Sequence, residues 1–242
     1  MKRFMNPFTV IIIALLFATS ITSGRFSNPG QWFMSMLLML PGLLIGLSLH
    51  EFAHAAVAYK LGDPTSKNQG RVTINPAAHI DPLGFFSLML VGFGWGRPVQ
   101  INPANFKNPR RDEILVSLSG VTMNFIVALL SCGIYIFLMS KGGYPTLSSS
   151  VLDIVTYIVL WIVQINVVLM VFNLLPVPPL DGFSIITELF NLRRYNWYYT
   201  VYNNGLIILL ALIVFGITGV FLSGGINVIL SVIEKFWSLI LF

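Results

Sequence analysis

The stretch GLSLHEFAHAAVAYKLGD, residues 46–63, sets two histidines and a glutamate inside a run whose other members are mostly apolar or small. Whether this run crosses a membrane decides the fold, because ionisable side chains inside a membrane segment are costly and usually functional. Composition answers the question. Of 242 residues, 56% are hydrophobic and only 10% are charged, against about 25% charged in ordinary soluble domains. Mean hydropathy is +0.82. The chain reads as an all-α polytopic membrane protein, and no polar block is long enough for a separate soluble domain. We therefore expect one membrane-embedded domain over 1–242, with its chemical core at about 33–185.

Apolar runs at 8–22, 33–59, 114–139, 151–175 and 203–222 predict spans, given that a helix crosses a bilayer in roughly 20 residues. The terminal run, 225–242, holds Glu234 and Lys235 and reads as a sixth span or an interfacial helix, giving five or six transmembrane helices. The first run follows Lys2 and Arg3 without a clean cleavage site, so we read it as an uncleaved span rather than a signal peptide. Residues 83–95, LGFFSLMLVGFGW, are too few for a comfortable span and carry Gly92 and Gly94, with Gly96 just beyond. If they dip in and return, and the N-terminus is cytoplasmic, all basic residues but Arg25, Lys141 and Lys235 fall on the cytoplasmic side. If they cross, the basic residues divide evenly. The positive-inside rule selects the re-entrant arrangement. Just before it, GRVTINPAAHIDP (70–82) alternates Val72 and Ile74 with polar positions, which predicts a short membrane-associated β-strand or hairpin. The re-entrant and strand region thus lies near 70–96.

The lone cysteine, Cys132, excludes a disulfide within this chain and a cysteine-based zinc cluster. Net charge is +5, yet Lys and Arg cluster beside apolar runs rather than on one polar surface. That pattern reports membrane orientation and argues against nucleic acid.

His50 and His54 are four residues apart, so on a helix they share a face and can bind one ion through their imidazole nitrogens. In zinc hydrolases with this spacing, the glutamate after the first histidine takes a proton from the water the metal activates and delivers it to the leaving group. Glu51 fits that role. Chance would produce HExxH in a chain this poor in His and Glu with a probability of about one in a thousand or less.

A catalytic zinc normally has three protein ligands, and two histidines leave one to find. The remaining candidates are His79 and the carboxylates, of which Asp181 in NLLPVPPLDG (173–182) is the most suggestive. Pro176, Pro178 and Pro179 break the preceding helix, and irregular backbone at membrane depth is tolerated where it lines a polar cavity. The re-entrant topology also sends the helices ending near 59 and 175 toward the same face, which sets His50, His54 and Asp181 at similar depth.

These residues resemble the site-2 protease family of intramembrane zinc metalloproteases, in particular its small prokaryotic members without PDZ or CBS domains. The resemblance covers roughly 45–185. It rests on HEFAH (50–54) followed by Gly62-Asp63, on NPAAHIDPLG (75–84), on GRPVQINPANFKNPRRD (96–112) and on NLLPVPPLDG. It implies one Zn2+ per chain bound by His50, His54 and Asp181, with Glu51 as the catalytic base. It also implies cleavage of a single-span transmembrane protein or a signal-peptide remnant within the lipid bilayer. Asn124 corresponds to a family asparagine near the catalytic centre, although the family's preceding Gly-Pro reads Gly120-Val121 here. Asn173 and His79 also match family motifs, and with Asn124 they are candidates for positioning the transition state or the substrate.

A substrate helix must unwind before its scissile carbonyl is open to attack. Val72 and Ile74 are the candidates for pairing the freed backbone by strand addition, with the glycines at 84–96 as a lid hinge. Two other classes compete with a peptidase: a membrane metal transporter and a catalytically silent binding protein. Against the first stands the lack of further polar ligands along the other spans; against the second, every expected catalytic residue is present. We expect a multi-pass protein of the cell membrane with a cytoplasmic N-terminus.

Overall fold

The computed structural model describes residues 7–22, 24, 26–91, 94–147 and 150–241. Lys2, Arg3 and Arg25, which entered the charge argument, and Gly92 lie outside them. The first helices are α1 (Pro7–Thr22) and α2 (Pro29–Lys60). The start of α2 is written locally: Pro29 takes the first helical position and the Asn28 side chain accepts the Gln31 N–H at 3.2 Å. Thirty-two residues rise about 48 Å, more than the roughly 30 Å of a hydrocarbon core. Three short helices follow, α3 (Thr65–Asn68), α4 (Pro76–His79) and α5 (Pro82–Val91). The long α6 (Pro109–Ser140) and α7 (Val151–Asn173) come next, then α8 (Asp181–Phe190), α9 (Asn196–Asn203), α10 (Gly205–Val214) and α11 (Ile217–Leu241).

Among the described residues, α2, α6, α7 and α11 are each long and apolar enough to cross a membrane. The pair α9 and α10, bent by 63°, adds a fifth span if taken as one broken helix. The last two apolar runs divide differently from the sequence reading, which set their boundary at 223–224. The chain breaks instead at Gly216, whose φ of +71° is open to glycine at little cost, while Gly224 and Gly225 stay inside α11.

The expected strand or hairpin at 70–82 is not formed. Val72 sits in a bend, Ile74 is 63% exposed in irregular backbone, and the residues after them are helical. The cause is local: the Asn75 side chain accepts the Ala77 N–H, Pro76 opens α4 and Pro82 opens α5, so two helix starts displace the alternating pattern. What remains is an isolated antiparallel bridge between Ile80 and Gly96. That bridge closes the excursion through α5 back onto its starting point. A Cβ at Gly84 would lie 2.0 Å from the Trp95 carbonyl oxygen, so the returning chain lies directly against the first turn of α5.

Helices α2, α6 and α7 form the central bundle, with α8 packed on α6 and α11 on α7 and α6. Ala128 and Cys132 of α6, Val163, Val167 and Val171 of α7 and Ile233 of α11 make an apolar cluster on the side where α11 packs. The α6 helix runs through Val121 without interruption, so the departure from the family's Gly-Pro leaves the helix intact. Arg193 bridges Glu113 of α6 and Glu188 of α8, at 2.5 and 2.8 Å, and Arg110 donates to the Glu188 carbonyl. The helix that begins with Asp181 is thereby fastened to α6 at its far end.

Beyond α2, Asp63 organises the loops. Fully buried, it accepts hydrogen bonds from the Thr65 N–H and hydroxyl, the Asn102 N–H at 2.8 Å and the Asn105 amide at 2.7 Å. Burial pushes its pKa up, and the bonds from Thr65, Asn102 and Asn105 outweigh burial, so the carboxyl lies below its usual range. A carboxylate held below its unfolded pKa adds stability that is present above about pH 4 and is lost as pH falls through the folded value. Asp63→Asn should therefore cost roughly 2 kcal/mol at neutral pH. The gap to the native chain should narrow as thermal unfolding in micelles is followed down to about pH 3; a gap that stays constant would rule the charge out as its source.

Candidate metal centre

One helical turn apart on the inward face of α2, His50 and His54 are about 5% exposed, and their rings meet edge to face at 87°. Their Nε2 atoms are 3.0 Å apart, and Asp181 Oδ2 is 3.3 Å from each. Asp181 reaches them because the proline-rich turn ends in extended backbone at Leu180 and Asp181 opens α8. A carboxylate at a helix N-terminus is also favoured by the helix dipole. Among the described residues, these three are the His, Cys, Asp and Glu side chains that converge in this way, with ligand atoms within 4.8 Å of one another.

Hydrogen bonds on the far sides of the rings fix which nitrogens carry protons. His54 Nδ1 lies 2.7 Å from the Val116 carbonyl oxygen, which can only accept. His50 Nδ1 lies 2.7 Å from Asn124 Oδ1, and Asn124 Nδ2 is committed to the Gly46 carbonyl and to Asn166 Oδ1. Both Nδ1 atoms are therefore donors, and neutral rings turn bare Nε2 lone pairs toward each other and toward Asp181. With both rings neutral, as metal ligation requires, the short distances to Asp181 Oδ2 are not hydrogen bonds, and that buried oxygen has no donor. Three acceptors confronting one another in a buried space need a cation between them. Ligand atoms 3.0 to 3.3 Å apart suit three ligands at roughly 2.1 Å from one Zn2+, and a set of two histidines and one aspartate leaves a fourth position open. The residues fit the ion.

Helix α6 approaches the imidazoles at Gly120, where a Cβ would lie 2.5 Å from His54 Cε1 and Nε2 and 2.7 Å from His50 Cε1. On the other side, Glu51 Oε2 accepts the Val99 N–H at 2.9 Å. Val99 belongs to an extended strap over 97–102 that is tied down along its length. The Arg97 N–H donates to the His79 carbonyl, the Ser66 hydroxyl to the Gln100 carbonyl, and the Asn102 N–H to Asp63.

Of the other candidates, His79 and Asn173 make their hydrogen bonds away from the convergent group. His79 is fully buried with Nε2 2.7 Å from the Thr73 carbonyl oxygen. Asn173 donates to the Leu169 carbonyl one turn back on its own helix. Asn124 touches His50. Sequence reasoning missed Asn166, although an amide in the apolar run WIVQINVVLM (161–170) was a visible signal. It also missed Val99 and Val116, which act through backbone groups that no side chain announces.

Residues 38–216 match peptidase family M50. YwhC of Bacillus subtilis (strain 168), named as a candidate zinc metalloprotease, is 44% identical over 147 residues, covering 61% of this chain and 66% of YwhC. Two proteins named Rip2, given the same description, are also similar. That of Mycolicibacterium smegmatis is 25% identical over 75% of this chain and 69% of its own length; that of Mycobacterium tuberculosis is 28% identical over 68% and 61%. The matched chain thus spans about two thirds of the length of these relatives. No solved structure matches it significantly. The family match takes in the histidine-bearing helix, Gly120 and the turn that carries Asp181, and on that ground the chain belongs to peptidase family M50, the family of the site-2 proteases.

Proposed function

We propose that this protein is a zinc-dependent intramembrane endopeptidase, in which Glu51 is the general base. The observation that carries the reading is the state of Glu51: it follows a zinc ligand on a helix long enough to span a bilayer, and a backbone amide holds one of its two oxygens. His50, His54 and Asp181 would hold the zinc, which when bound would supply Lewis-acid activation of water and of the peptide carbonyl. The Val99 N–H fixes Oε2 and leaves Oε1 to take the proton of the attacking water and pass it to the departing amine. Asn124 serves this chemistry by holding His50.

Proteolysis here also needs an unwound substrate, since a helical segment keeps its carbonyls within its own hydrogen-bond ladder. The substrates we assign are single-span membrane proteins or signal-peptide remnants. The protein is a multi-pass protein of the cell membrane whose N-terminus is cytoplasmic, as the distribution of Lys and Arg supports. His50 and His54 stand ten and six residues before Lys60, about 15 and about 9 Å along the helix axis, so we place the cut between the midplane and the cytoplasmic end of a substrate span.

Two substitutions separate the metal from the chemistry. Glu51→Gln should keep about one zinc per chain while cleavage of a single-span reporter in proteoliposomes falls by about 10²–10⁴-fold; cleavage at the native rate would exclude Glu51 as the base. Gly120→Ala drives a methyl group into rings that their Nδ1 bonds hold in place. Zinc affinity should fall by at least ~10-fold, read by metal analysis after dialysis, and an unchanged zinc content would show that α6 can withdraw.

A further inference from the structure

Asn124 can hold His50 in the ligating tautomer only while its own amide points one way. Turned over, it would offer Nδ2 to His50 Nδ1. The ring would then carry its proton on Nε2 and lose the lone pair that faces His54 and Asp181. Two acceptors oppose that flip: the Gly46 carbonyl, 3.1 Å from Asn124 Nδ2, and Asn166 Oδ1 at 3.0 Å. The direction of Asn166 is fixed in turn, because its Nδ2 donates at 2.8 Å to the Ile162 carbonyl on its own helix, an oxygen that can only accept. Asn124 and Asn166 are both fully buried, so neither amide can exchange its partner for water. Gly46 makes the meeting possible, since a Cβ there would lie 3.1 Å from Asn166 Oδ1 and 2.7 Å from Leu169 Cδ1.

We propose that Asn166 is a positioning residue for the zinc site: its carbonyl oxygen, aimed by the Ile162 carbonyl, fixes the orientation of Asn124 and through it the tautomer of His50. The relay runs from α7 through α6 to α2 and ends at a metal ligand. It rests on the zinc reading of the site and is independent of peptidase activity.

The test is the zinc affinity of the full-length protein in detergent micelles, measured by competition with a chromophoric chelator. Asn166→Leu keeps the branched shape, with the same number of side-chain heavy atoms, and removes the acceptor, so affinity should fall about tenfold, in the range seen when hydrogen-bond partners of metal ligands are lost. Asn166→Asp keeps an acceptor for Asn124 Nδ2 whether or not its carboxyl is ionised, and should stay within about threefold of the native value. Asn166→Thr satisfies its hydroxyl on the carbonyl one turn back and is too short to reach Asn124. It should bind zinc as weakly as the leucine variant, and it carries the test if that variant fails to fold. A role in packing alone leaves the neutral His50 ring protonated on Nδ1 in every variant, whereas loss of the relay lets the proton move to Nε2 in the leucine and threonine variants, read from the 15N shifts of the imidazole in the zinc-free protein. Native affinity in Asn166→Leu, or in Asn166→Thr when it stands in, would overturn the proposal, as would an aspartate variant as weak as either. If affinities follow the expected order while the native chain cleaves no membrane substrate, the positioning role stands and the peptidase reading falls.

Discussion

Two neutral imidazoles aimed at one point are an unstable arrangement without a cation, and the surroundings of His50 and His54 impose it. Each ring is held from behind, by the Val116 carbonyl for His54 and by the Asn124 amide for His50. Both holders belong to α6, so the metal site depends on how α6 lies along α2. Inside a membrane there is no hydrophobic drive between helices, and association relies on close packing and interhelical hydrogen bonds. The bonds that set the histidine protons are bonds of this kind. Fold and site share one set of contacts.

A second layer sits where the helices emerge. Among the described residues the strap at 97–102 is joined to no strand, with one bridge at Gly96 just before it, yet Ser66, Asp63, His79 and Glu51 each bind one of its backbone groups. Asp63 ties the end of α2 to that strap, and Arg193 with Arg110 ties α8 to α6. Through these two fastenings Glu51 and Asp181 are held by the same frame as the histidines. Side chains replace the sheet that alternation in 70–82 had suggested.

What the sequence made legible follows the range of the physics involved. Hydropathy announced the central spans, because each needs a continuous apolar run that nothing distant can alter. Helical spacing announced His50 and His54, and proline chemistry pointed to Asp181 from a turn far along the chain. The strand expected around Val72 and Ile74 failed because Asn75-Pro76 and Pro82 are stronger local instructions than a short alternation. The break at Gly216 rather than 223–224 was unreadable, since several glycines compete there and packing decides which stay helical. The Val99 N–H and Val116 carbonyl have no signature of their own, and Asn166 gained its meaning only when α7 met α6.

Gly120 carries a further consequence. It is the point at which α6 passes the imidazoles with room for hydrogen alone. Rotate and shift α6 by one residue and Ser119 or Val121 would bring a side chain into that space. The three ligand atoms therefore converge only while Gly120 faces the imidazoles, so the missing side chain of one residue sets the register of α6 on α2.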